Sequence, residues 1–262
     1  MAGRSVIVTG AARGVGAACA RRFVQNGDKV VLADQDEEAG RAHAKELRDG
    51  GGEAAFVHAD VSNRLHVHNI IAEALDAFGR IDALAHTTME QFSAPFLETT
   101  EDDFERIVAS NIRGAFLINQ AVARHFVKRG EQADAAAASF PGAIVNIGSV
   151  EAVTAAADHV AFAASQGGLH QLTKAVAIAM SPYGVRANLV GVGAIKGETS
   201  DSAQRDAERA ATPLRRIGDP EEVAEVVFFL AGEAASYVTG QCVYVDGGRL
   251  VNNGAVPEKD AH

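Results

Sequence analysis

The chain has 262 residues, 47% of them apolar and 22% charged, with a formal net charge of −10. That length and apolar content suit one large α/β domain and exclude a disordered chain. The acidic balance argues against nucleic acid or an anionic membrane as a partner, since both require basic patches. Cys19 and Cys242 are the only cysteines and lie on apolar periodic segments, so they read as small buried side chains in a reducing compartment. The first strand begins after four residues, which leaves no room for a signal peptide. The longest uncharged run, Ala135 to Val150, contains Pro141, Gly142 and Asn146 and is no membrane span. The expectation is a cytoplasmic protein.

In chain order, Val6 to Val8 have the composition of a buried strand, and Gly10, Gly14 and Gly16 punctuate a tight turn after it. Val15, Cys19 and Phe23 then recur at helical spacing. A strand running through glycines into a helix aims backbone N–H groups and the positive helix end at one spot, which suits a phosphate. Gly10, Arg13, Gly14, Val15 and Gly16 are therefore read as cofactor-binding, against the alternative of a plain tight connection. Lys29 to Ala33 form a second strand ending at Asp34, 18 residues after Gly16. A carboxylate there accepts both hydroxyls of an adenosine ribose and repels a 2′-phosphate, which favours NAD over NADP. Arg13 leans the other way, and an ordinary strand-end turn is the alternative for Asp34.

Glu37 to Arg48 read as a charged surface helix closed by Gly50 to Gly52, and Ala54 to Ala59 as a third strand. It ends in Asp60 and Val61, where a side chain meets an adenine edge or a solvated turn. Ser62 is expected to cap a helix with Val67, Ile70, Ile71, Ala74 and Phe78 on its apolar face and Gly79 as its stop. His66 and His68 on it point in different directions and do not chelate one metal; with His58 they are expected to be solvated or half-buried. Ile81 to Ala85 form the fourth strand, and Thr100 with Asp103 a capping box for a long helix through Asn111 and Phe116 towards Arg129. Gly130 to Phe140, alanine-rich and acidic, read as a surface loop or an extra turn. Ala143 to Ile147, Val185 to Val190 and Gln241 to Val245 are the later strands, with a helix over Val160 to Met180. The alternation predicts an α/β fold: a single doubly wound, Rossmann-type domain over residues 1–262, with a parallel sheet of about seven strands and helices on both faces.

These residues resemble a known family, the short-chain dehydrogenase/reductases, over nearly the whole chain. Thr9-Gly10-x-x-x-Gly14-x-Gly16 is similar to its cofactor turn and Asp60-Val61 to its adenine-pocket pair. The resemblance makes Asn111 its structural and catalytic asparagine and Ser149, in Ile144-Val-Asn-Ile-Gly-Ser149, its catalytic serine. Pro213 to Val223 and Tyr237 to Gly248 are similar to its C-terminal third. The departures fall on the chemistry. The family's Tyr-x-x-x-Lys is here Phe162-Ala-Ala-Ser-Gln166, thirteen residues beyond Ser149. Phe162 carries no exchangeable proton. Gln166 is neutral; it can hydrogen-bond the nicotinamide ribose but cannot shift a neighbour's pKa by charge. The family's Asn-Asn-Ala-Gly is His86-Thr-Thr-Met89, its Pro-Gly is Val192-Gly193, and a threonine shortly after is Gly197.

Ser149, Glu151, Thr154 and His159 fall between the fifth strand and the long helix. His159 is the best substitute base, since an unperturbed imidazole titrates near neutrality; a loop histidine facing solvent is its alternative. His86 stands at a strand's C-terminal end, either facing a ligand or filling an altered pocket. Glu198 to Ala211 correspond to the family's substrate lid, or to an exposed helix. The expectation is an NAD-binding oxidoreductase acting on a small carbonyl or alcohol with catalytic residues Ser149, Asn111 and His159. The alternative is a catalytically silent subunit that stabilises an active homologue. The resemblance further implies a homo-oligomer, dimer or tetramer, or a hetero-oligomer with that homologue.

Overall fold

The computed structural model describes residues 3–132, 141–197 and 202–252. Its centre is a seven-stranded sheet in the order β3-β2-β1-β4-β5-β6-β7, every neighbouring pair parallel. The strands are β1 (Ser5–Thr9), β2 (Lys29–Asp34), β3 (Ala54–His58), β4 (Ala83–His86), β5 (Ala143–Ser149), β6 (Arg186–Val192) and β7 (Cys242–Val245). Strands β1, β4, β5 and β6 are buried along their whole length, as near-continuous apolar runs require when both sheet faces are covered.

Helices α1 (Gly14–Gln25) and α8 (Pro220–Leu230) cover one face, where Val6, Val8, Ala85, Val145 and Val190 pack with Phe23, Val223 and Val227. On the other face Ile7, Val31, Leu84 and Ile144 pack under α3 (Arg64–Phe78), α5 (Gly114–Gln132) and α6 (Val160–Met180). Helix α2 (Glu37–Asp49) flanks β2 and β3, α4 (Glu101–Val108) precedes α5, and α7 (Ser202–Ala211) follows β6. The chain winds outward in both directions from β1 and β4, so their C-terminal ends diverge into the crevice where such sheets hold ligands.

Most element expectations hold, α6 to the residue, and the misses have local causes. Helix α3 is capped by Asn63, whose side chain accepts from Leu65 N, rather than by Ser62, whose own N–H is taken by Asp60. The Thr100–Asp103 capping box is present, but α4 gives way at Ala109–Arg113 to a π-helical turn before α5 begins. Such turns carry one extra residue and gather at functional sites; this one contains Asn111. Strand β6 continues past Val190 to Val192, because β7 pairs with it as far as Val245. Helix α5 runs to Gln132, into the segment read as a loop; 133–140 lie outside the described residues, as do 198–201 of the lid segment. Cys19 is buried, whereas Cys242 is half-buried. No helix among the described residues is long and apolar enough to cross a membrane.

Candidate active site

The glycine turn is built for close approach. Gly10 and Gly14 have φ of +63° and +54°, conformations that L side chains rarely adopt. A Cβ on Gly16 would lie 2.0 Å from Gly10 O, whereas nothing lies within 4 Å of one on Gly14. Gly16 is thus required by packing and Gly14 by its positive φ, with open space in front of it that a diphosphate would fit. Val15 is half-buried against the α1/α8 core. Asp34 ties the turn to the sheet: Ala12 N–H donates to Oδ2 at 2.9 Å and Asp36 N–H to Oδ1 at 3.0 Å. Each carboxylate oxygen keeps a further acceptor position for a ribose hydroxyl. Arg13 pairs with Asp36 at 2.9 Å on the exposed rim. Asp60 accepts from Ser62 N at 2.8 Å and donates its own N–H to His66 Nδ1 at 3.1 Å, while Val61 is 3% exposed under the start of α5. These residues fit the adenosine and diphosphate half of a dinucleotide.

The loop after β6 joins this turn to the chemistry. Lys196 and Gly197 share a groove with Arg13 and Gly14, while Val192 to Ala194 border a cleft of about 630 Å³ that also holds Ser149, Glu151, His159 and Phe162. Met89 is held against the buried cluster around Val6, Val8 and Ala85.

Ser149 Oγ accepts from Glu151 N at 3.1 Å and so begins the turn Val150–Ala152, which leaves the hydroxyl hydrogen to donate. Phe162, in the first turn of α6, is 3% exposed. Gln166 is fully buried: Oε1 accepts from Ser149 N at 3.0 Å, and Nε2 lies 3.4 Å from Ser165 Oγ. Its amide is thus engaged by the protein's own groups, not presented to a ribose. Asn111, 1% exposed, accepts from Glu90 N at 2.8 Å and donates to Glu90 O and Ser165 Oγ, both at 2.9 Å. Ser165 Oγ in turn donates to Phe162 O at 2.7 Å. The π-helical turn, α6 and β5 are therefore joined by one hydrogen-bonded chain through Asn111, Ser165, Gln166 and Ser149.

An imidazole able to carry a proton stands beside that chain. His159 Nδ1 lies 2.8 Å from Glu151 Oε1. A carboxylate only accepts, so Nδ1–H donates and Nε2 keeps its lone pair in the neutral ring. The imidazole meets the Phe162 ring edge-on, centroids 6.1 Å apart. Glu151 Oε2 is shielded from solvent and has no hydrogen-bond partner among the described residues. The pairing of Glu151 with His159 escapes sequence reasoning, because the intervening loop has no periodicity that would aim one side chain at another. His86 takes no part in the cleft. It is fully buried, its Nδ1 lies 2.8 Å from Thr9 Oγ1, and burial pushes its pKa down to about 4.

With this geometry in hand, the chain's likenesses to known proteins fall in one direction. A family model described as Enoyl-(Acyl carrier protein) reductase matches residues 10–249. L-rhamnose 1-dehydrogenase (NAD(P)(+)) of Azotobacter vinelandii is 34% identical over 258 residues, 95% of this chain and 97% of that protein. 3beta-hydroxysteroid dehydrogenase 1 of Eggerthella lenta is 33% identical, over 96% of this chain and 95% of its own length. Among solved structures, a gluconate 5-dehydrogenase from Burkholderia cenocepacia in complex with NADP and tartrate superposes with a TM-score of 0.87 at 32% identity, covering 96% of this chain and 97% of that one.

Proposed function

The chain belongs to the short-chain dehydrogenase/reductase family of oxidoreductases, and from that premise we propose that it interconverts an alcohol and a carbonyl with NAD(H), using His159 and Glu151 where relatives use tyrosine and lysine. The observation that carries this is the 2.8 Å contact between His159 Nδ1 and Glu151 Oε1 in the cleft that contains Ser149. Bound with its adenosine half at Asp34, Asp60 and Val61, the dinucleotide supplies the hydride acceptor or donor. Ser149 Oγ–H donates to the substrate oxygen. His159 Nε2 removes the hydroxyl proton in oxidation and returns it in reduction. Glu151 fixes the ring through Nδ1–H and balances the positive charge that forms on the imidazole. Asn111 and Gln166 hold the frame on which Ser149 is placed. Asp34 supports the preference for NAD, and the reading places the protein in the cytoplasm, where thiols such as Cys19 stay reduced.

Purified protein assayed with NAD(H) against secondary alcohols and ketones tests this reading. It is supported by NADH formation or consumption above blank, and it fails if confirmed cofactor binding yields none across the panel.

A second reading, a silent subunit paired with an active homologue, draws on a different observation. The buried Phe162 and Gln166 put no ionisable group in the tyrosine and lysine positions, while Phe104, Phe116 and Ile178 on α4, α5 and α6 are exposed. Purification from the native source separates the two, since a protein found only with copies of itself is no partner subunit.

A further inference from the structure

We infer that the cleft beside His159 takes a neutral, polyhydroxylated molecule, a sugar or polyol, gripped by Glu208 and Arg249; this rests on the reading of that cleft as an oxidoreductase site. Glu208 comes from α7 and Arg249 from the turn after β7, and both line the same cavity of about 630 Å³ as Ser149 and His159. Neither is in an ion pair among the described residues. The remaining charged lining is Glu151 and Asp158. Asp158 is already occupied by Ser93 Oγ at 2.8 Å, and Glu151 has one oxygen on His159 and the other without a partner.

The walls therefore offer three carboxylates against one guanidinium. Carboxylates accept hydrogen bonds and cannot donate them, so they favour a ligand rich in hydroxyl hydrogens. A carboxylate or phosphate ester would meet Glu151, Asp158 and Glu208 with Arg249 as its single counter-ion among the lining residues. A wholly apolar alcohol would strip water from Glu208 and Arg249 and give them nothing in return. Phe92, half-buried in the wall, supplies the apolar surface for the C–H face of a sugar ring, while Phe162 lies buried behind His159. The pairing of acidic acceptors, one planar donor and an aromatic wall is the complement of a polyol.

Saturation-transfer NMR on the whole protein with NADH present tests this, using aldohexoses, aldopentoses and their alditols, the corresponding aldonates, and cyclohexanol. At least one neutral sugar or alditol is expected to bind saturably, and Glu208→Gln and Arg249→Ala each to weaken it about tenfold with unchanged melting temperature, since both side chains lie at the cleft's accessible wall. The inference is overturned if no polyol binds, if an aldonate or cyclohexanol binds more tightly, or if both substitutions leave polyol binding unchanged. Because binding needs no hydride transfer, the two readings fail separately. Polyol binding without NADH formation removes the oxidoreductase reading alone. Turnover of cyclohexanol or an aldonate with no polyol bound removes this inference alone.

Discussion

His159 Nδ1 stands 2.8 Å from Glu151 Oε1, and the same imidazole lies edge-on to the ring of Phe162. Two residues from one irregular loop thus bring a proton acceptor with its orienting carboxylate up against the side chain that replaces the family's tyrosine. The ammonium's position is filled by Gln166, an amide folded back onto Ser149 N. On the proposed reading, proton handling moves from the face of α6 to the loop that precedes it, while Ser149 stands at the end of β5.

If His159 is the base, His159→Asn lowers kcat/KM by about 10²–10⁴, the usual worth of a positioned general acid–base. Glu151→Gln keeps a hydrogen bond to the ring but not the charge that stabilises imidazolium, and the expected loss is about tenfold. Steady-state kinetics on the best alcohol in the panel provides the comparison. Equal rates for wild type and His159→Asn would remove His159 from the reaction.

The glycine turn separates packing from ligand approach. In Gly16→Ala the new Cβ falls 2.0 Å from Gly10 O and 2.6 Å from Thr87 Oγ1, so the fold itself must shift, at about 1–3 kcal/mol or more. In Gly14→Ala nothing lies within 4 Å, and the cost is the strain of an alanine at φ +54°, about 1–2 kcal/mol. Both variants are expected to bind NADH at least tenfold more weakly, but Gly16→Ala melts at the lower temperature. Thermal melts alongside NADH fluorescence titrations distinguish them.

How far the sequence carried depends on whether a feature repeats along the chain. Strands β1, β4, β5 and β6 and helix α6 are legible because apolar runs and helical spacing are local signals. Helix α8 is not assigned from sequence, although Asp219 with Glu222 forms a capping box at its start. The proposed adenosine half of the site is legible from spacing, since the turn, Asp34 and Asp60 all sit at strand ends. The proposed catalytic half is not. Glu151 meets His159 through loop geometry, and Glu208 and Arg249 reach the cleft from segments distant in sequence. The buried Arg4–Asp28 pair at 2.7 Å, with Arg4 lying against the contacting rings of Phe23 and Phe228, likewise joins residues that no short-range pattern connects.

The proposed choice of NAD rests on two carboxylates and one guanidinium. Asp36 holds Arg13 at 2.9 Å on the exposed rim, and Asp34 occupies the strand end where the ribose is proposed to lie. An exposed ion pair of this kind contributes about 0–1 kcal/mol to stability, but Asp36 also caps α2, its Oδ1 accepting from Ala39 N at 2.9 Å, so Asp36→Ala costs about 0.5–2 kcal/mol of folding stability. It also removes a negative charge and releases Arg13 from that partner for a 2′-phosphate. NADPH affinity is expected to rise about tenfold at low salt while NADH affinity changes less than threefold, and the gain shrinks at high ionic strength. Paired titrations at two salt concentrations decide the matter, and unchanged NADPH binding would exclude Arg13 from the selectivity.

His86 gives the fold a pH dependence with a defined sign. Thr9 Oγ1 accepts from Thr87 N–H and lies 2.8 Å from His86 Nδ1, while His86 Nε2 is buried without a partner among the described residues. Desolvation lowers the folded-state pKa to about 4, against 6.5 for the free side chain. A histidine with a depressed folded pKa is protonated first in the unfolded chain. Its contribution is therefore complete above about pH 6.5 and is lost as pH falls towards about 4, a change on the order of 3 kcal/mol. His43, His125 and His170 are shifted the same way by burial and add to the acid sensitivity. In His86→Asn the other three remain and this contribution is gone. Urea unfolding at pH 7, 5.5 and 4.5 is expected to show a flatter loss of stability for the variant. Identical slopes for the two proteins would mean that His86 takes up its proton at the same pH folded and unfolded, and the buried neutral imidazole at the end of β4 would then be wrong.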